Sequence, residues 1–328
     1  MAEILLTIFF ISVLLFFLGS GIWVALSMIG VSAIGMMLFT SRPVGDAMAT
    51  TIWGTSSSWT LTALPLFVWM GEILFRTRLS ENLFKGLSPW MQKLPGGLIH
   101  VNVVGCALFA AISGSSAATV ATVGKMSIPE LRKRNYPEKI LLGSLAGSGT
   151  LGLLIPPSII LIIYGVAVQE SIAKLFIAGI IPGIMIALIF MSYVIIWSLI
   201  NKKSMPKIIE EYSFLEKIKR SKQLLPVIIL ILAVIGSIYT GIATATEAAS
   251  LGVVGALILS YFQKSLTLKT FKSSLLGATK TSCMIAFILA GSTFLSLAMG
   301  FTGLPRNLAL WIQNMDLSPY VLIFVLMI

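Results

Sequence analysis

The sequence is short of charge, of histidine and of cysteine. Charged residues make up 11% of its 328 residues, and it has one histidine, His100, and two cysteines, Cys106 and Cys283. The cysteines have neither zinc-type spacing nor a second cysteine nearby, so neither a zinc site nor a disulfide framework is indicated. We interpret His100, at the start of an apolar run, as an interfacial residue. We expect neither an enzyme nor an organic cofactor.

Long apolar runs take the place of the missing charge. Hydrophobic residues make up 57% of the sequence, and roughly eight to ten stretches approach the ~20 apolar residues that a membrane-spanning helix needs. Residues 3–19 lack the basic start and the cleavage site of a signal peptide, which indicates a first membrane helix. Gly19-Ser20-Gly21 is compatible with a tight hairpin between 3–19 and 22–39 or with one bent helix. The pattern predicts an all-α polytopic membrane protein.

The positive charge lies between the apolar runs. The formal net charge is +11, and Lys and Arg are densest in 125–139 and 202–222. The positive-inside rule places such loops in the cytoplasm. The net positive charge therefore indicates the orientation of the chain in the membrane, and we expect no nucleic-acid partner. Apolar and charged positions recur at helical spacing over 205–222, which predicts an amphipathic helix on the inner membrane surface or a solvated linker helix.

The two halves of the chain resemble each other weakly. Met70-Gly71 and, further on, Trp90-Met91-Gln92 precede an apolar run in the first half, and Met299-Gly300 and Trp311-Ile312-Gln313 do so in the second. By the distribution of Lys and Arg between the apolar runs, the first of these runs begins on the cytoplasmic side of the membrane and the second begins on the outer side. Weak repeats of opposite orientation are typical of secondary transporters.

A first helix break interrupts the apolar run 98–128 at Ser113-Gly114-Ser115-Ser116. The run is too long for one untilted crossing and too short for two. Basic residues at both ends would place both ends in the cytoplasm. A re-entrant helical hairpin with its tip at 113–116 satisfies both constraints.

A second break, Gly147 to Ser158 with Pro156-Pro157, interrupts the run 140–168. Unwound backbone at membrane depth frees carbonyls for a cation, while half-helix N-termini face an anion. Neutral hydroxyls add ligands that suit Na+ better than Zn2+ or Cu2+; they belong to Ser113, Ser115, Ser116, Thr119 and Thr150. The alternative is that these small residues only let helices pack closely.

Three motifs carry a family resemblance: Ser113-Gly114-Ser115-Ser116-Ala117, Gly149-Thr150-Leu151-Gly152-Leu153-Leu154-Ile155-Pro156-Pro157-Ser158 and Gly241-Ile242-Ala243-Thr244-Ala245-Thr246-Glu247-Ala248-Ala249. Over essentially its whole length the chain resembles the large membrane subunit of tripartite ATP-independent periplasmic (TRAP) transporters. The resemblance implies an inverted-repeat, elevator-type carrier in the bacterial inner membrane, driven by Na+. It also implies a periplasmic binding protein, a small membrane subunit and a small organic anion as substrate, such as a C4-dicarboxylate or sialic acid.

The resemblance also implies particular site residues. Na+ would be held by Ser113 and Ser116 with backbone oxygens near Gly152, Ile155 and Pro157. The surrounding substrate and ion region would include Gly114, Ser115, Thr119, Gly149, Thr150 and Pro156.

The same resemblance divides the chain into scaffold and transport parts. Scaffold helices would occupy 1–95 and 171–278, the latter with the linker 205–222. A transport domain would occupy 96–170, with the hairpin at 98–128 and the broken helix at 140–168, and a second transport repeat would begin at 279–328. The family has a second hairpin and a second broken helix, so we expect this sequence to be truncated at its C-terminus.

Other readings stay open at this point. The chain could be another Na+- or H+-coupled organic-anion carrier, a channel, or an intramembrane serine enzyme that uses Ser113 or Ser115 with His100. Glu247 could be a functional intramembrane carboxylate, but Thr244-Ala245-Thr246-Glu247 matches a capping box at a helix start, which we favour.

Overall fold

The computed structural model describes residues 2–77, 79–206, 212–315 and 317–327, and these residues contain α-helices and no strand. The helices are α1 Ala2–Gly19, α2 Val24–Phe39, α3 Val44–Ser56, α4 Ala63–Phe75, α5 Leu79–Met91, α6 Ile99–Ser113, α7 Ser116–Lys133, α8 Glu138–Gly149, α9 Ile159–Val168, α10 Ile172–Ile200, α11 Phe214–Ser221, α12 Leu225–Tyr239, α13 Ala245–Phe262, α14 Leu268–Phe301, α15 Leu304–Gln313 and α16 Pro319–Met327. The prediction of an all-α protein is confirmed.

Several helices have the dimensions of membrane spans. α10, α13 and α14 are each long and apolar enough to cross a membrane alone. α11 and α12 pass the same test as a pair that is bent by 57° at the break between them. α6 and α9 are apolar but shorter, because each ends or begins at one of the two breaks in the apolar runs.

The chain divides into two compact units, the first formed by Met1–Ser58 and Cys283–Ile328. In this unit α1 and α2 form an antiparallel hairpin. A methyl group added at Gly35 would lie 2.5 Å from the Phe10 ring, and one at Gly30 would lie 2.8 Å from the Phe17 ring. The contacts pair early residues of α1 with late residues of α2, so the tight hairpin is the correct choice between the two arrangements that Gly19-Ser20-Gly21 permits.

The second unit, Trp59–Ser282, is built around α6. This helix is buried over most of its length and packs against α4, α5, α7, α8 and α10. Asn102 of α6 donates hydrogen bonds from Nδ2 to the Leu141 carbonyl oxygen at 3.2 Å and to Ser144 Oγ at 3.0 Å. These bonds fix α6 to α8, which carries the second break at its C-terminal end.

The amphipathic segment is shorter than the predicted 205–222. Met205 and Pro206 are not helical, residues 207–211 lie outside the described part of the chain, and α11 begins at Phe214 after a capping box between Ser213 and Glu216. Phe214 is 67% exposed. α11 packs against the end of α5, where Trp90 Nε1 donates a hydrogen bond to Ser221 Oγ at 2.8 Å.

The predicted capping box at the start of α13 is confirmed. The Thr244 N–H donates to the Glu247 carboxylate at 2.8 Å, and the Glu247 N–H donates to Thr244 Oγ1 at 3.3 Å. The Glu247 carboxylate is therefore satisfied by the backbone at the first turn of its own helix.

Replacing Thr244 tests the contribution of this box. We expect Thr244→Ala to lower the free energy of unfolding by about 1 kcal/mol, because an N-cap side chain satisfies a backbone N–H that is otherwise left unbonded. Thermal unfolding in detergent, followed by tryptophan fluorescence, measures the change. Thr246→Ala, two residues further on and outside the box, is the matched control; equal losses in both variants would contradict the assignment.

Candidate ion and substrate site

The first break is a single left-handed turn between α6 and α7. Gly114 has φ +60° and its N–H donates to the Ala110 carbonyl oxygen at 3.0 Å, which ends α6. Ser115 begins the next helix as its N-cap, with Oγ 3.5 Å from the Ala118 N–H. Because left-handed backbone favours glycine, the Ser-Gly-Ser order places the turn at Gly114.

The second break unwinds the chain between α8 and α9. A 3₁₀ turn, Thr150–Leu153, follows α8, and residues 154–158 are not helical. Pro156 and Pro157 have no N–H to donate to a helix, and Ser158 Oγ donates to the Leu153 carbonyl oxygen at 2.5 Å. The discontinuity lies inside the predicted broken helix 140–168.

The two breaks meet backbone to backbone. The Ile159 N–H donates to the Gly114 carbonyl oxygen at 3.1 Å. A methyl group at Gly114 would lie 2.7 Å from the Pro157 carbonyl oxygen, and one at Gly152 would lie 2.8 Å from the Ser115 carbonyl carbon and 2.8 Å from the Ser116 nitrogen. The structure therefore brings Ser115, Ser116, Gly152 and Pro157 to one place around Gly114.

A cluster of neutral oxygens lies at this meeting point. Thr119 Oγ1 donates to the Ser115 carbonyl oxygen at 2.7 Å and lies 3.0 Å from Ser113 Oγ, which is 3.4 Å from the same carbonyl. Ser113 and Thr119 are buried. Buried neutral oxygens of hydroxyl and carbonyl groups, with no carboxylate among them, are suitable ligands for a hard cation of low charge. The described residues contain no group of three or more His, Cys, Asp and Glu side chains that could hold a metal ion.

Four helical segments end or begin at this cluster. α6 and the 3₁₀ turn direct their C-terminal ends to it, whereas α7 and α9 begin there. C-terminal ends carry partial negative charge and N-terminal ends partial positive charge. The first turn of α9 has no side-chain cap, and its first N–H, that of Ile159, is bonded to the Gly114 carbonyl oxygen, so an anion here would meet the N–H groups that follow. The site thus presents a surface for each sign of charge.

Two glycines of α10 hold the unwound segment from its other side. A methyl group at Gly179 would lie 2.8 Å from the Leu154 carbonyl oxygen, and one at Gly183 would lie 2.9 Å from Ile155 Cγ1. Sequence reasoning missed this contact, although Gly179 and Gly183 are spaced four residues apart, as in the small-xxx-small pattern of close helix contacts.

α4 approaches the hairpin turn in a similar way. A methyl group at Gly71 would lie 3.0 Å from Ser113 Cα. Gly71 was noted in the sequence only for the internal repeat, and its contact with the turn could not be inferred from that pattern.

The other predicted residues lie around the cluster in packing positions. Thr150 is exposed and its Oγ1 donates to the Gly147 carbonyl oxygen at 2.6 Å. A methyl group at Gly149 would lie 1.9 Å from Val120 Cγ2, and Pro156 Cγ is 3.5 Å from the corresponding position at Gly179. Gly149 therefore contacts α7 closely and Pro156 contacts α10, whereas the Thr150 hydroxyl bonds back to its own helix.

His100 lies at the opposite end of α6 from Ser113. Thirteen residues of helix separate them by about 20 Å. His100 is fully buried in protein, and its Nε2 lies 2.8 Å from the Pro95 carbonyl oxygen. Its position at the membrane interface stays a prediction. This bond pairs one of the two ring nitrogens, whereas Nδ1 is buried without a partner among the described residues.

A methyl group at Gly152 tests the contact between the breaks. We expect Gly152→Ala to destabilise the protein by roughly 1–3 kcal/mol, because the added carbon meets backbone atoms that cannot rotate away. The melting temperature in detergent measures the effect. Gly143→Ala in α8 is the matched control, since a methyl there meets nothing within 4 Å. A melting temperature for Gly152→Ala equal to that of the control would contradict the contact.

Comparison with known proteins gives one consistent assignment. The profile of the family described as the DctM component of the tripartite ATP-independent periplasmic transporter matches residues 9–328. The C4-dicarboxylate TRAP transporter large permease protein DctM of Pseudomonas aeruginosa is 32% identical over 295 residues, which are 89% of this chain and 68% of that protein.

Two further relatives carry other substrate names. The sialic acid TRAP transporter large permease protein SiaM of Vibrio cholerae is 31% identical over 94% of this chain and 71% of its own length. The isethionate TRAP transporter permease protein DctMQ of Oleidesulfovibrio alaskensis is 31% identical over 89% of this chain, which spans 46% of that relative. The chain belongs to the DctM family, the large permease component of TRAP transporters, and is a multi-pass membrane protein.

Proposed function

We propose that this chain carries a small organic anion across the bacterial inner membrane together with Na+. The observation that carries the proposal is the cluster of Ser113 Oγ, Thr119 Oγ1 and the Ser115 carbonyl oxygen, which lie within 2.7–3.4 Å of each other where the two breaks meet. Bound Na+ would supply a positive charge beside the anion site.

The composition of the hairpin tip favours Na+ over H+ as the coupling ion. Residues 113–119 are Ser, Gly, Ser, Ser, Ala, Ala and Thr, and these side chains do not titrate in the physiological range. A proton-coupled site needs a group that gains and loses a proton. Ser113, Thr119 and the Ser115 carbonyl would hold Na+, with Ser116 and backbone oxygens near Gly152, Ile155 and Pro157 completing the set implied by the family resemblance.

The anion would bind beside these oxygens, at the N-terminal ends of α7 and α9. The first turn of α9 lacks a side-chain cap, and free N–H groups at a helix start bind carboxylates and other anions. Several relatives are named for C4-dicarboxylate, sialic acid, isethionate or 2,3-diketo-L-gulonate transport. These names support a small organic anion as the substrate class.

The hairpin and the broken helix would move as one body in an elevator-type transport cycle. Their direct backbone contacts, the Ile159 to Gly114 hydrogen bond and the approach of Gly152 to Ser115, support a rigid transport domain over 96–170. The tripartite periplasmic architecture of the family supports a periplasmic binding protein and a small membrane subunit as partners. A serine-enzyme role is disfavoured because His100 and Ser113 occupy opposite ends of α6.

Transport in proteoliposomes tests the coupling. We expect the chain, reconstituted with its small subunit and binding protein, to accumulate labelled succinate or sialic acid with an inward Na+ gradient and not with an equal K+ gradient. Uptake at the same rate in both gradients would eliminate Na+ coupling. Labelling of Ser113 by a fluorophosphonate probe would instead support an enzyme.

Substitutions at the cluster test which residues bind Na+. We expect Ser113→Ala and Thr119→Val each to raise the Na+ concentration for half-maximal uptake by roughly tenfold or more, because each removes an oxygen that interacts with a charge. Thr150→Ala is the matched control, since the Thr150 hydroxyl bonds back to its own helix. A shift for Thr150→Ala as large as that for Thr119→Val would place the cation elsewhere.

A further inference from the structure

A cavity of about 480 Å³ lies at the N-terminal end of α6, the opposite end from the hairpin tip. Its walls are the loop between α5 and α6, the loop between α7 and α8, and the end of α10 with the turn that follows. The length of α6 separates it from Ser113 by about 20 Å. It is therefore distinct from the proposed transport site.

The shape of the cavity wall depends on two glycines and a tyrosine. Gly96 and Gly97 have φ of +103° and +55°, which disfavour other residues. A methyl group at Gly97 would lie 2.5 Å from Tyr136 Oη, and this oxygen accepts a hydrogen bond from the Leu98 N–H at 3.0 Å. The Tyr136 hydroxyl is thus fixed at the wall, with its own proton available as a donor.

The charged side chains that line the described part of the cavity are all cationic. Lys93, Arg134 and Lys202 line it, and the described lining residues include no carboxylate. Arg134 Nε lies 3.9 Å from a carboxylate oxygen of Glu130, outside the lining. Three positive charges around one cavity favour a ligand with negative charge.

Gln92 gives an independent indication of an acceptor ligand. This residue lines the cavity, is only 6% exposed, and its Nε2 has no hydrogen-bond partner in the part of the chain that the structure describes. A buried donor without an acceptor is energetically unfavourable. The Nε2 atom is closed to solvent, and a rotation of the amide toward the cavity would let a ligand oxygen satisfy it.

The surroundings of the cavity are apolar and suited to the membrane interface. Leu94, Leu199 and Met205 line it, and the adjacent α10 surface exposes Ile196 and, at 77%, Ile200. The loops around it belong to the basic set that the positive-inside rule assigns to the cytoplasm. A ligand here would meet cations at one end and an apolar helix surface at the other.

We propose that this cavity binds the phosphate headgroup of an anionic phospholipid from the inner leaflet, with its acyl chains along α10. Basic pockets between helices on the cytoplasmic side suit such headgroups. Lys93 and Lys202 supply the charge, and Gln92 Nε2 and the Tyr136 hydroxyl donate hydrogen bonds to phosphate oxygens.

Lipid retention by the purified full-length chain tests the proposal. Native mass spectrometry would measure binding of dioctanoyl phosphatidylglycerol, dioctanoyl phosphatidylcholine and glycerol 3-phosphate. We expect phosphatidylglycerol to bind most tightly. A Lys93→Gln, Lys202→Gln double variant should lose about fivefold in affinity per lysine and so roughly 25-fold in all.

Two further variants keep the test decisive. A Lys269→Gln, Lys272→Gln double variant removes the same charge from exposed lysines at the start of α14. Because these lysines do not line the cavity, its affinity for phosphatidylglycerol should stay within about twofold of that of the unmodified chain. Gln92→Leu should weaken phosphatidylglycerol binding while the net charge stays unchanged.

Equal binding of phosphatidylglycerol and phosphatidylcholine, or equal losses in both lysine pairs, would overturn the proposal. Glycerol 3-phosphate binding as tightly as the lipid would overturn it in favour of a soluble phosphate ester.

Discussion

The structure of the site depends on one requirement: backbone that leaves a helix within the membrane must find hydrogen-bond partners in protein. The hairpin turn and the unwound segment meet this requirement for each other. The Ile159 N–H, at the start of α9, donates to the Gly114 carbonyl oxygen that α6 leaves at its end. This bond pairs one donor of the second break with one acceptor of the first.

Close approach of backbones then determines where glycine is needed. Gly114 of the first break and Gly152 of the second lie where the breaks meet, Gly71 brings α4 to the turn, and Gly179 brings α10 to the unwound segment. Lipid provides no hydrophobic drive for helices to associate, so packing between small residues supplies much of the attraction. The glycines therefore stabilise the geometry that collects the oxygen cluster.

The two helix breaks could be predicted from the sequence, but the residues that pack against them could not. Ser-Gly-Ser-Ser and Pro156-Pro157 break helices by local chemistry, and the capping box at Glu247 is equally local; the structure has all three. The contact between Ser113 and Thr119 crosses a turn and follows no helical period. The spacing of Gly179 and Gly183 indicates a close contact, but it does not identify the partner, because Leu154 comes from a distant part of the chain.

The absence of charged side chains from 113–119 gives the proposed coupling a physical basis. Cation binding to neutral oxygens leaves a net positive charge in a site of low dielectric, which is unfavourable. An anion at the neighbouring starts of α7 and α9 would neutralise that charge. Each ligand would therefore stabilise the other, and such mutual stabilisation is reciprocal by thermodynamic linkage. A carboxylate at the hairpin tip would bind the cation without help from the anion and would weaken this dependence, so a tip made of serine, glycine, alanine and threonine suits co-transport better than a charged one.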